Sequence, residues 1–244
     1  MSSKIGLNLT ENYSINFHPL KRNKKTIKYI VLHYTGMKNE SKAIKKLCDE
    51  KSKVSSHYFI KNNGRVLKLV PDLYEAWHAG KSSWKNLKSL NKNSIGIEIN
   101  NPGHEHGYKN FNRKQILSLK KLLKYLSKKY GINRKNVLGH SDIAPSRKKD
   151  PGEKFPWNML YKNNLCHGYN LSKKEIKKFR EIKVNLIEEK KFLKNLYKIG
   201  YSRFETKLFY KKKIILIKAF QRRFRQELVN GKIDKECFLI SKHL

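Results

Sequence analysis

Acidic side chains are scarce in this 244-residue chain: 19 Asp and Glu stand against 56 Lys and Arg, for a formal net charge of +37. Such a chain attracts polyanions, but the charge is spread, with 22 basic and 8 acidic side chains in residues 170–244 and a similar ratio before them. There is no separate basic arm and no nucleic-acid-binding motif, so no specific nucleic-acid partner is expected. Lys outnumbers Arg 46 to 10, a bias that an AT-rich genome also produces, so composition leaves a selected polyanion surface and genomic drift both open. Cysteine is nearly absent. Cys48, Cys166 and Cys237 are odd in number and far apart, which excludes a disulfide framework and a Cys-x-x-Cys knuckle and leaves reduced, structural thiols. Long apolar runs are missing too: nothing reaches the ~18 residues of a membrane-spanning helix. The first thirty residues show neither an apolar signal core nor a lipidation cysteine, which points to the cytoplasm. The length suits one large domain or two small ones.

What is present reads first as strands. Ile27–Tyr34 is a short β-branched run ending in His33, and His57–Lys61 and Val66–Val70 flank Asn62-Asn63-Gly64, a hairpin signal. Ser94–Asn100 is a further strand with Glu98 inside it, and Val137–His140 is the last. Helices are predicted over Ser41–Glu50 and from Asn112, where Gln115 completes a capping box and Ile116, Leu119, Leu123, Leu126 and Tyr130 share one face before Gly131 ends it. Beyond a link at Gly168–Asn170 the chain reads as helical throughout. Phe192, Leu196 and Ile199 share one face, and Ile217, Phe220, Phe224 and Leu228 another. The expected division is an irregular segment over 1–26, a catalytic α/β domain over 27–165 with a mixed central sheet flanked by helices, and a helical domain over 170–244.

Two histidines, His33 and His140, stand at strand ends, and Asp150 follows ten residues after the second. Two imidazoles and a carboxylate suffice for a catalytic zinc, which takes three protein ligands and leaves a fourth position for water. Any one of these histidines alone is more often a satisfied or solvated side chain than a ligand. Glu98 is more telling: a carboxylate in the apolar run SIGIEIN either faces solvent from an edge strand or is kept there as a base.

The segments VLHYTG (31–36), SSHYFI (55–60), AWHAG (76–80), SIGIEI (94–99) and GHSDIAPSRKKDPG (139–152), in this order, resemble the zinc-dependent N-acetylmuramoyl-L-alanine amidases of the amidase-2 type, the AmpD and AmiD branch, whose fold is shared by peptidoglycan-recognition proteins. The resemblance implies hydrolysis of the amide between N-acetylmuramic acid, or its anhydro form, and L-alanine, in wall turnover or muropeptide recycling. It implies one Zn²⁺ on His33, His140 and Asp150, with Glu98 as catalytic carboxylate and Lys148 as a second catalytic group. His57, Trp77 and His78 fall in its motifs as candidates to line the groove for sugar or stem peptide, although Trp77 could equally be packed. Tyr34 and Asp142 are expected behind the ligands or in a turn, and His104 and His106 as solvated loop residues.

FLKNLYKIGY (192–201), IKAFQRRFRQ (217–226) and NGKIDKE (230–236) resemble a small three-helix peptidoglycan-binding-like domain; a purely stabilising helical cap is the alternative. A wall-binding tail would favour the periplasm over the cytoplasm. The expected partners are peptidoglycan or muropeptide fragments, and the expected state is a monomer. A binding-only relative lacking catalysis is the competing class, and the intact ligand set argues against it.

Overall fold

A computed structural model describes residues 9–11, 13–203 and 209–244. The first strands are β1 (Leu9–Glu11), β2 (Phe17–His18) and β3 (Tyr29–Tyr34), and helix α1 (Glu40–Cys48) leads to β4 (Tyr58–Ile60) and β5 (Val66–Lys68). Short ribbons β6 (Glu75–Ala76), β7 (Ser83–Trp84) and β8 (Leu87–Lys88) precede β9 (Ser94–Ile99), helix α2 (Arg113–Tyr130) and β10 (Val137–Gly139). Six helices follow among the described residues. They are the single turn α3 (His140–Ile143), which directly follows β10, then α4 (Trp157–Lys162), α5 (Lys173–Lys177), α6 (Leu186–Ile199), α7 (Phe209–Phe224) and, last, α8 (Lys235–Lys242).

The central sheet has the order β1-β5-β4-β9-β3-β10, antiparallel only between β4 and β5. Alternation along β3 divides its side chains between two cores. Ile30 and Leu32 pack with Ile116, Leu119, Leu123 and Leu126 of α2. Tyr29 and Val31 instead pack with Phe192 and Leu196 of α6 and Ile217 and Phe220 of α7, so the C-terminal helices cover the second face. Helix α2 starts where the sequence supplies a cap: the Asn112 and Gln115 side chains close the predicted box, and Gly131, at φ +64°, ends it.

Two expectations are corrected. The segment over 1–26, read as irregular, adds β1 to the sheet edge parallel to β5 and pairs β2 with β6; its residues 1–8 and 12 lie outside the described residues. Its Arg22 is buried, donating to the carbonyls of Asp72, Asn91 and Ser94. A three-residue strand carries no periodicity, and an arginine satisfied by backbone oxygens leaves no sequence signal. Helix α7 ends at Phe224, so Leu228 falls beyond it. There Arg225 turns inward, with Nη2 3.4 Å from the Asp234 carboxylate and 3.3 Å from the Cys237 sulfur. No helix among the described residues is long and apolar enough to cross a membrane.

Candidate active site

The parallel strands β9, β3 and β10 bring their C-terminal ends together beneath one cleft. His33 lies opposite Glu98 in the β3–β9 register, so both side chains leave the sheet on the same face. His140 follows directly after β10, and Asp150 returns on the loop from α3, where its carbonyl accepts from the Ser141 amide at 2.8 Å.

His33, His140 and Asp150 are buried and converge. Nδ1 of His33 is 2.9 Å from Nδ1 of His140, and each lies 3.1 Å from Oδ2 of Asp150. Donors about 2.0–2.1 Å from a tetrahedral ion are separated by about 3.3 Å, so this triangle is nearly the size of one face of a zinc site. Its charge state also fits. Burial, reinforced by His140, lowers the His33 pKa to about 4 and keeps that ring neutral. Burial alone would raise Asp150, but the His140 and His33 rings overcome it and hold the carboxyl well below its usual range, as a carboxylate. Two imidazole nitrogens and a carboxylate oxygen converging on one point are a donor set that suits a cation.

Glu98 stands beside the triangle. Its Oε2 is buried without a hydrogen-bond partner among the described residues, and an unpaired carboxylate oxygen there is costly. Burial, then the Asp150 charge, pushes its pKa up to about 8, against the opposing pull of Lys148. A cation on the triangle favours the ionised form and so lowers that pKa. The sign for stability follows: between about 4.5, the ordinary value, and about 8 the folded metal-free protein holds a proton that the unfolded chain has released. Metal-free wild type should therefore lose stability as pH rises through that window, relative to Glu98→Gln. Denaturant unfolding at several pH values reads the difference, and parallel profiles would contradict it.

The cleft above has a volume of about 1240 Å³ including its open mouth, and Trp77, Lys148, Arg147 and His104 line it together with the donors. The predicted groove residues separate. Trp77 and His78 reach the cleft, whereas His57 does not: fully buried, it accepts from the Gly96 amide on Nδ1 and lies 3.0 Å from the Tyr74 carbonyl on Nε2. His78 bonds His33 at 3.1 Å, and its ring fits only because residue 96 is glycine, where a Cβ would lie 2.4 Å from it.

Sequence reasoning missed His104. Rather than being solvated, it accepts from the Tyr34 hydroxyl at 2.9 Å, donates to Glu153 at 3.1 Å and stacks on Tyr108; His106 is exposed. Asp142 is also more than a turn residue. It accepts from the Gly139 amide at 2.7 Å and the Tyr201 hydroxyl at 2.7 Å, and it pairs with buried Arg223 of α7.

Three side chains that could hold a metal ion, beside a carboxyl with one buried oxygen and at the carboxyl ends of parallel strands, fit the arrangement a mononuclear metallohydrolase requires. Residues 23–153 match the N-acetylmuramoyl-L-alanine amidase family. The chain is 34% identical over 230 residues to the N-acetylmuramoyl-L-alanine amidase AmiD of Escherichia coli K12, spanning 89% of this chain and 82% of that one. It superposes on the solved complex of E. coli AmiD with the substrate anhydro-N-acetylmuramic acid-L-Ala-D-gamma-Glu-L-Lys with a TM-score of 0.79 at 32% identity, covering 93% and 91% of the two chains. The complex of AmpDh3 from Pseudomonas aeruginosa with an anhydromuramic pentapeptide gives a TM-score of 0.79 at 31% identity, covering 93% and 92%. This chain belongs to the N-acetylmuramoyl-L-alanine amidase family.

Proposed function

We propose that the protein is a zinc amidase that cleaves the bond between the lactyl carbonyl of N-acetylmuramic acid, foremost its anhydro form, and L-alanine of the stem peptide. The observation that carries this reading is the triangle of His33 Nδ1, His140 Nδ1 and Asp150 Oδ2 next to the unpartnered Oε2 of Glu98. The anhydromuramyl peptides bound to AmiD and AmpDh3 support the substrate class. A zinc ion held by the three donors supplies Lewis-acid polarisation of the amide carbonyl and an acidified nucleophilic water.

The chain's own residues do the rest. Glu98 takes the proton of the attacking water on Oε2 and passes it to the departing L-alanine nitrogen, so that the C–N bond breaks to a neutral amine. Lys148, half-buried on the cleft wall, presents its ammonium to the carbonyl oxygen as that atom becomes an oxyanion, a role worth about 3 kcal/mol. Trp77 offers an aromatic wall to the sugar or peptide.

The test is mass spectrometry of an anhydromuramyl tripeptide digest. Zinc-loaded protein should release the free tripeptide beginning with L-alanine, chelator-stripped protein should release none, and added Zn²⁺ should restore it. Turnover retained in fully metal-free protein would sink the zinc reading, and intact substrate from the zinc-loaded protein would sink the amidase reading.

A further inference from the structure

A histidine binds a metal through one ring nitrogen only if its proton sits on the other, so each donor here needs an acceptor at Nε2. Both acceptors come from consecutive residues. His140 Nε2 is 3.1 Å from the carbonyl oxygen of Ala79, which can only accept, so that nitrogen carries the proton. His33 Nε2 is 3.1 Å from Nδ1 of His78. His78 in turn is directed by Ser94: the Ser94 hydroxyl donates to the Leu90 carbonyl at 2.7 Å, and its oxygen is left to accept from His78 Nε2 at 3.1 Å. With the His78 proton on Nε2, its Nδ1 accepts from His33 Nε2. The chain of donors therefore runs from His33 through His78 and Ser94 to a backbone oxygen, and both Nδ1 lone pairs face Asp150 Oδ2.

The segment carrying these acceptors is itself tied down. Asn91 Oδ1 accepts the backbone amides of both His78, at 3.2 Å, and Ala79, at 2.7 Å. Arg22 donates to the carbonyls of Asn91 and Ser94, at 2.8 and 2.7 Å, and so fixes the stretch that holds Asn91, Ser94 and Leu90. On β9, alternate residues share the labour: Ser94 directs His78, Gly96 leaves room for its ring, and Glu98 reaches the cleft.

We propose that His78 and Ala79 form an acceptor strap that holds both histidine donors in the Nε2–H tautomer, with Asn91 and Ser94 as positioning residues that touch neither donor. The strap rests on the zinc reading above, but its test is metal affinity rather than turnover. His78→Phe keeps a ring and removes the acceptor, whereas His78→Asn puts Oδ1 in the place of Nδ1. Zinc affinity is measured by competition with a chromogenic chelator, alongside the downfield ¹H signals and water exchange of the His33 and His140 Nε2–H groups in the zinc-loaded proteins.

His78→Phe should weaken zinc binding about 10- to 100-fold and expose His33 Nε2–H to fast exchange, while His78→Asn should stay within about threefold of wild type. Asn91→Ala should weaken binding and speed exchange at both histidines, and Asn91→Asp, which keeps an acceptor oxygen, should restore both. The Asn91 pair keeps the question open to test even if His78→Phe fails to fold. Wild-type affinity and exchange in His78→Phe or Asn91→Ala would overturn the strap, as would equal losses in Phe and Asn at position 78. A wild type that binds no zinc would instead overturn the metal reading itself, so the two failures are distinguishable.

Discussion

Glu98→Gln is expected to lower kcat on an anhydromuramyl peptide about 10²- to 10⁴-fold, the usual contribution of a positioned general base, with KM and zinc content close to wild type. The substitution is nearly isosteric, so the cleft keeps its shape, but an amide oxygen cannot hold and return a proton. The starting environment supports the role. Oε2 is buried without a partner among the described residues, so nothing competes for its lone pairs. Burial and the Asp150 charge keep its proton affinity high, with a pKa pushed to about 8 in the metal-free protein. A bound cation lowers that value, which leaves Glu98 ionised and able to accept the proton of the attacking water. Because the proton moves only during bond-making and bond-breaking, the loss should fall on kcat. Steady-state kinetics of the zinc-loaded variant decide: a fall below tenfold, or one confined to KM, would remove Glu98 from proton transfer.

How far this site is legible in sequence depends on whether a residue's role is set locally or by a distant partner. His33 is readable because a β-branched run ends on it, and Glu98 because a carboxylate interrupts an apolar strand; both signals lie within one element. The hairpin and the α2 cap are local in the same way. The roles of His57 and His78 were not legible. They fall in one set of motifs and look alike, yet one is closed off on the Gly96 amide and the Tyr74 carbonyl while the other orients a donor 45 residues away. His104 gave no signal for its bonds to Tyr34 and Glu153, 70 and 49 residues distant. Arg22, counted among many cations of a basic chain, is individually buried against carbonyls 50 to 72 residues on.

Arg223→Met is expected to cost about 3–5 kcal/mol of stability, the usual penalty for stranding one member of a buried ion pair. Arg223 and Asp142 are both nearly inaccessible, at 4% and 1% exposure. Arg223 pairs with the Asp142 carboxylate, donates to the Val137 carbonyl at 2.9 Å and stacks on Trp157. Losing it leaves Asp142 with only the Gly139 amide and the Tyr201 hydroxyl. The consequence reaches the candidate metal site, because Asp142 stands two residues after His140 and accepts from the Gly139 amide in the turn that starts there. It also reaches the helical region, because α7 and Tyr201 deliver their side chains into the core that β3 and β10 share with α6 and α7. Urea unfolding should show the loss for Arg223→Met. In a double-mutant cycle, Asp142→Asn should cost less when Arg223 is already Met than in the wild-type background, since the buried charge that suffers is then removed. Additive costs would mean that the pair contributes packing alone and that the helical region does not steady the His140 turn through it.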